Sequence, residues 1–249
     1  MKRILITRPR PQANTFAEEL RLAGFEPVFF PAIEIQPIES NVPLERALSK
    51  LECYDWVVFT SVNAVEIVFE NHSSAFRQTR SAVKFATIGP KTAEALQVWG
   101  ITPDFVPNEY IAESILPGLG DLRGKWVLLP RAEIARKALP EAIFEAGGIP
   151  HEIAVYKTLP AQPDPEGLAA LKLGVDIITL TSSSTVRNLV RIAREHGLDP
   201  LALPGNPLFI CIGPITEQTA REEGLANLVT AKEYTTQGMV EVLKKLEIS

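Results

Sequence analysis

Residues 88–96 read IGPKTAEAL, and residues 212–220 read IGPITEQTA, 124 positions further on. This is one line of a longer duplication. ILITR ending at Arg8 matches VLLPR ending at Arg131, and LAGFEP around Gly24 matches EAGGIP around Gly147, both 123 apart. FTSVNAV at Thr60 and Ser61 matches LTSSSTV at Thr181 and Ser182 at a shift of 121, and NEYIAESIL matches KEYTTQGMV with Tyr110 falling on Tyr234. Phrases repeated in one order at nearly constant spacing mean that one unit was copied, so the chain folds as two similar halves. With only two copies and so long a period, a solenoid is excluded.

Short runs rich in β-branched and aromatic residues recur along both halves. RILIT, PVFFPAIEI, DWVVFT, VKFATI, PDFV, KWVLL, PHEIAVYKT, DIITLT, PLFICI and ANLVT make ten candidate strands, about five per unit. Between most of them lie amphipathic stretches such as QANTFAEELRLAG, with apolar residues at intervals of three and four and a closing glycine. Strands alternating with such helices predict an α/β fold with mainly parallel sheets.

Two cuts compete for the domain border. The glycines of GLGDLRGK (118–125) would separate two consecutive units, whereas the proline-broken stretches at 33–43 and 156–167 would make the middle of the chain a domain inserted into the other. Periodicity alone leaves both open.

Composition narrows the function. With 46% apolar residues in 249, the chain can bury a substantial core. Its formal charge of −5, with Lys and Arg scattered, argues against nucleic acid. Cys53 and Cys211 lie far apart in apolar runs, which predicts core fillers in a reducing compartment, and His72, His151 and His196 lack metal-binding spacing. No apolar run approaches the ~18–20 residues of a membrane span. The expectation is a cytoplasmic protein without metal.

The chemistry-bearing candidates are polar turns at strand ends. GLGDLRG precedes a strand where a dinucleotide loop follows one, and no phosphate loop or nucleophile elbow occurs. IGPKT places Gly89 at a sharp turn, Pro90 at the first helical position and Thr92 with its hydroxyl outward, leaving helix N-terminal amides unpaired; Gly213, Pro214 and Thr216 repeat this. Ser61, Ser182 and Ser183 are expected as N-cap hydroxyls. These turns either simply cap helices or hold an anion, since helix N-termini at the carboxyl ends of parallel strands suit one. Arg8 and Arg131, with Arg10, Lys91 and Arg136 nearby, could clasp a carboxylate. Tyr156, near the end of a long strand, is either a packing residue or a proton donor.

Taken together, LITRP, VFTSVNAV, ATIGPKTAEAL, VPNEYIAESIL, PRAEIARKALPEAIFEAG, VYKT, TLTSSSTVRNLV, CIGPITEQTA and EYTTQGMVEVL resemble the uroporphyrinogen-III synthase family over nearly the whole chain. The resemblance implies two α/β domains joined by two linking strands, with a ligand cleft between them: residues 1–35 with 160–249, and residues 38–155. It thereby selects the crossings at 33–43 and 156–167.

It also implies an enzyme that needs no cofactor and closes the linear tetrapyrrole hydroxymethylbilane into uroporphyrinogen III, losing water and inverting ring D. Tyr156 matches the family tyrosine that assists departure of hydroxide. Arg8, Ser61, Gly89, Pro90, Lys91, Thr92, Arg131, Ser182, Ser183, Gly213, Pro214, Ile215 and Thr216 are the expected substrate contacts. Because Ile215 stands where the first turn has Lys91, the two copies should grip unequally. A monomer is expected. The alternatives are a non-catalytic protein that binds or senses a tetrapyrrole or other polycarboxylate, and, behind it, a sugar-phosphate enzyme.

Overall fold

A computed structural model describes residues 1–79, 83–108 and 112–248. The chain opens with strand β1 (Arg3–Ile6), helix α1 (Arg10–Leu22), β2 (Glu26–Phe29), β3 (Ile33–Pro37) and α2 (Val42–Leu48). A 3-10 turn at Leu51–Cys53 leads to β4 (Trp56–Phe59), α3 (Val62–Thr79), β5 (Lys84–Thr87) and α4 (Pro90–Val98). After a second such turn at Ala112–Ile115 come α5 (Leu116–Leu119), β6 (Trp126–Ala132), α6 (Ala138–Glu145) and β7 (Ile149–Pro160). The remainder is α7 (Pro165–Leu173), β8 (Ile177–Leu180), α8 (Ser183–Glu195), β9 (Leu208–Cys211), α9 (Pro214–Glu222), β10 (Leu228–Thr230) and α10 (Thr236–Ile248).

These elements form two compact units. The first joins Met1–Glu34 to Leu159–Ser249, and the second is Ile35–Thr158, so the chain passes from one to the other inside β3 and returns inside β7. The sheet of the first unit runs β10-β9-β8-β1-β2, and that of the second β3-β7-β6-β4-β5. The pairs β1–β2, β1–β8, β8–β9, β9–β10, β4–β5, β4–β6 and β6–β7 are all parallel.

The duplication is visible in the topology. Shifting the numbering by 121–124 carries β8, β9, β1 and β2 onto β4, β5, β6 and β7, and both sheets keep these four in the same lateral order. Equivalent aspartates fix the strand starts. The backbone N–H of Arg3 donates to Asp176 Oδ2 at 2.7 Å, and that of Trp126 to Asp55 Oδ2 at 2.9 Å. The matched glycines close the helices before β2 and β7: Gly24 (φ 90°) and Gly147 (φ 83°) take the left-handed conformation that a side chain disfavours.

Strand count agrees with the sequence only by compensation. PVFFPAIEI is two strands, β2 and β3, because Pro31 between them offers no ladder N–H. PDFV shrinks to one bridge between Ala86 and Phe105. Its counterpart, Val229 opposite Ile210, sits within the full strand β10. Pro103 and Pro107 bracket the short copy, and the Asp104 carboxylate accepts the Phe85 N–H at 2.8 Å. Both proline-broken stretches are partly regular, ending in α2 or beginning in β7. Cys53 is exposed rather than a core filler, because it ends a surface 3-10 turn, while Cys211 is buried in β9.

Each sheet is covered on both faces. In the first unit Ile4 and Ile6 meet Phe16, Leu20, Met239 and Leu243 of α1 and α10, while Leu5 between them meets the side formed by Leu171, Leu189 and Val190 of α7 and α8. In the second, Val57 and Phe59 pack with Val65, Phe69 and Leu96, and Trp56 and Val58 with Leu139 and Ile143. Strands buried on both faces read as unbroken apolar runs, which is why WVVF and IITL carry no alternation. Among the described residues, no helix is long and apolar enough to cross a membrane.

Asp55 ties the strand starts of the second unit, since Lys125 Nζ also donates to its Oδ1 at 2.8 Å. Burial alone would raise its carboxyl, but the bonds from Lys125 and from the Trp126 N–H outweigh that and hold it below the usual carboxylate range. Removing a partly exposed carboxylate that accepts two donors costs about 1–2 kcal/mol. Urea denaturation of Asp55→Ala at pH 7 should show that loss. A group depressed on folding stabilises above its unfolded pKa, so the gap to the parent should close as pH falls below the ordinary carboxylate range.

Candidate functional site

A parallel sheet delivers the carboxyl ends of its strands to one edge, and nearly all the candidate residues lie there. In the second unit Ser61 follows β4, Gly89 follows β5, Arg131 is the penultimate residue of β6, and Tyr156 lies opposite Ala132 on β7. In the first, Arg8 follows β1, Ser182 follows β8 and Gly213 follows β9.

Three of these side chains are brought together. Ser61 Oγ lies 3.1 Å from Tyr156 Oη and accepts the N–H of Ala64 at 3.2 Å, so one hydroxyl both caps α3 and orients the phenol. The Tyr156 ring packs among Val57, Phe59, Leu128 and Val155, and the residue is only 7% exposed. Such burial restrains the ring. Arg131 is close enough for the two to interact electrostatically.

The two arginines hold matching places with different surroundings. Arg131 Nη1 donates to Glu152 Oε2 at 3.1 Å and Nη2 to the Arg136 carbonyl at 2.6 Å, while its Nε is buried without a partner. Burial pulls the guanidinium below its ordinary value, opposed by Glu152. Lys137 Nζ reaches the other oxygen of Glu152 at 2.9 Å, which makes that carboxylate a local hub. Glu152 lies opposite Leu129; the equivalent pair is Ile6 and Phe29, so Arg8 has no carboxylate at that position. Arg8 Nη2 donates instead to Gln12 Oε1 at 3.3 Å, and its Nε is buried without a partner. Its guanidinium is pulled down by burial, with Glu19 opposing. Arg131 is thus occupied by its own unit, and Arg8 keeps more donor capacity. Glu152 escaped the sequence reading; the available signal was an acid and an arginine in adjacent candidate strands.

The paired helix starts differ from expectation in their detail. Gly89 (φ −156°, ψ 168°) and Gly213 (φ −168°, ψ 174°) are N-caps in extended conformation, which any residue can adopt, so no sharp turn demands glycine. At Gly213 a Cβ would stand 3.4 Å from the ring of Tyr234, an ordinary contact, so packing does not demand glycine there either. Pro90 and Pro214 occupy the first helical positions. Thr92 and Thr216 are 7% and 4% exposed rather than outward-facing, because the third helical position points them at the strands. Lys91 is exposed and paired with Glu94 at 2.8 Å, and Ile215 replaces it in the other copy. There α9 also carries Glu217 in its first turn, where α4 has no acid. The α4 start is therefore the more receptive to an anion.

Ser182 is an N-cap, accepting the Thr185 N–H at 3.2 Å in a reciprocal capping box. Ser183 is not a cap: it is the first residue of α8, and its Oγ lies 2.7 Å from Thr219 Oγ1 on α9. Arg10 pairs with Asp164 at 3.2 Å and lies over the Phe29 ring. Tyr234 is 45% exposed, and Tyr110 falls outside the described residues.

Ser61→Ala should cost about 1 kcal/mol through loss of the cap, measured by urea denaturation. Gly213→Ala should stay within about 0.5 kcal/mol of the parent, since the backbone is unstrained and the new methyl meets Tyr234 at ordinary contact; a larger loss in thermal melting would contradict this.

Comparison with known proteins bears on the whole chain. The family model described as Uroporphyrinogen-III synthase HemD matches residues 14–241. A protein of Synechococcus elongatus named Uroporphyrinogen-III synthase is 35% identical over 246 residues, covering 96% of this chain and 93% of that one. Among solved structures, a mutant uroporphyrinogen III synthase of the extremely thermophilic bacterium Thermus thermophilus aligns with a TM-score of 0.64 at 22% identity, covering all of both chains. Uroporphyrinogen-III synthetase of Helicobacter pylori aligns at 0.66 with 19% identity, covering 99% of this chain and all of that one. At such identities the solved structures speak to the fold, and they share its α/β character.

Proposed function

The chain belongs to the uroporphyrinogen-III synthase family, and from that premise we propose that its strand-end residues carry out the cyclising dehydration of tetrapyrrole biosynthesis, converting linear hydroxymethylbilane to uroporphyrinogen III. The single observation that carries a residue-level reading is the contact between Tyr156 Oη and Ser61 Oγ at the carboxyl edge of one sheet.

The chemistry asks little of the protein in the way of reactive groups. A pyrrole nitrogen of the substrate expels the terminal hydroxyl as water, given a proton, and leaves an azafulvenium cation. Attack by the ring D carbon makes a spiro centre, and fragmentation with reclosure delivers the inverted ring. The electrons come from the pyrroles. A phenol is a donor at neutral pH, and Ser61, already accepting an amide N–H, holds Tyr156 in place to hydrogen-bond the departing oxygen.

The larger task is geometric, because the same chain closes without inversion when unrestrained. Holding a flexible ligand in one bent form is worth ~7–11 kcal/mol. In this reading the substrate carboxylates are held by Arg8, by the starts of α3, α4, α8 and α9, and by Lys91, while Arg131 chiefly orders β6 and β7. The net charge of −5 is no obstacle, since the local field at these amides decides. Operation as a single chain, in the cytoplasm and without a cofactor belongs to the same proposal.

The direct test is regiochemical. Fresh hydroxymethylbilane is supplied, the products are oxidised, and the uroporphyrin isomers are separated. Isomer III should dominate; isomer I alone, with thermal stabilisation by the ligand, would mark a binding protein instead. Tyr156→Phe should lower kcat by about 10²-fold with KM little changed. Parental turnover in that variant would remove the phenol from the mechanism.

A further inference from the structure

The second unit holds a cavity of about 660 Å³ at the opposite end of its sheet from Tyr156, lined by residues that include Arg46, Lys50, Cys53, Tyr54, Trp126 and His151. Tyr54 immediately precedes β4, Trp126 opens β6, and His151 is the third residue of β7, so the amino-terminal strand ends form its floor. Pro43, Arg46 and Ala47 of α2 form one wall, continued by Ser49 and Lys50.

Its floor is an aromatic assembly. Tyr54 and His151 lie side by side and nearly coplanar, with ring centres 5.9 Å apart and an interplanar angle of 14°, and Trp126 stands edge-on to both, at 6.3 and 6.5 Å. Tyr54 Oη lies 2.5 Å from His151 Nδ1. Burial pushes the Tyr54 phenol up, with the Cys53 thiol adding to the effect, so the phenol remains a donor. The indole of Trp126 is 44% exposed. Arg46 and Lys50 are exposed, and among the described residues no carboxylate lines the cavity.

None of this serves the cyclisation, whose candidate residues lie at the other edge. We propose that this cavity is a second ligand site, one that takes a planar aromatic anion: a flat ring system on the face of Trp126 with its edge toward the Tyr54–His151 pair, and with its phosphate or carboxylate toward Arg46 and Lys50. Indole and imidazole faces stack on ring systems irrespective of their edges, and an arginine is suited both to stacking and to a planar anion. The volume lies within the range of small-molecule sites. The site stands independently of the proposed cyclisation.

Two sources offer this chemistry: a nucleoside monophosphate, or the flat oxidised macrocycle derived from the product of the proposed reaction. Cys53 on the cavity wall distinguishes occupation of this site from binding elsewhere. It is exposed, whereas Cys211 is buried with its thiol pushed up to about 12, so alkylation of the folded chain reports on Cys53 alone. The experiment follows iodoacetamide labelling of the full chain with increasing AMP or, separately, uroporphyrin III.

Saturable protection by either, slowing Cys53 labelling at least tenfold, supports the site and identifies the source. The double variant Arg46→Glu/Lys50→Glu, at two exposed positions, should raise the concentration for half-protection at least tenfold with an unchanged circular dichroism spectrum. Trp126→Leu should also weaken it. Absence of protection by both probes, or protection that survives the charge reversal, overturns the proposal.

Discussion

Everything functional in this chain rests on parallel strand pairing. When neighbouring strands run in one direction, every strand exit, with the helix start that follows, falls on the same edge, and that edge collects unpaired amides and short polar side chains whatever the rest of the sequence does. Ser61, Gly89, Arg131 and Tyr156 are scattered across nearly a hundred positions, yet the order β7-β6-β4-β5 sets them side by side. The aspartates at the other edge, Asp55 and Asp176, hold the strands in register so that the exits line up.

The duplication supplied two such edges, and they differ in charge. Phe29 stands where the other copy has Glu152, so Arg8 meets a glutamine while Arg131 meets a carboxylate. Lys91 against Ile215, with Glu217 in the first turn of α9, shifts the charge the other way, toward the second unit.

The parts of the fold legible in the sequence are those written into local pattern. The repeat, the β-α alternation and the capping serine at 182 follow from spacing and residue type, whereas PVFFPAIEI, read as one strand, is broken at Pro31. What the pattern misses is set by partners distant in sequence. Whether Thr92 faces out or in depends on which strand lies beneath it; Ser183 gave its hydroxyl to Thr219 on another helix instead of to its own helix start. The same holds for Glu152, whose role exists only once β6 and β7 are neighbours. The extended backbone of Gly89 and Gly213 shows the limit of reading glycine as a mark of conformation, since any residue adopts it.

The passage of the chain through β3 and β7 bears on how the molecule assembles. Ile4 must find Ile177 across about two thirds of the polypeptide, a closure whose entropy cost grows with the intervening chain. The segment in between is a unit with its own cores, and its two ends are adjacent strands of one sheet. Once that unit has folded it acts as a staple: Glu34 and Leu159 leave it from neighbouring strands, and a search over well over a hundred residues becomes a search over the short tethers that remain.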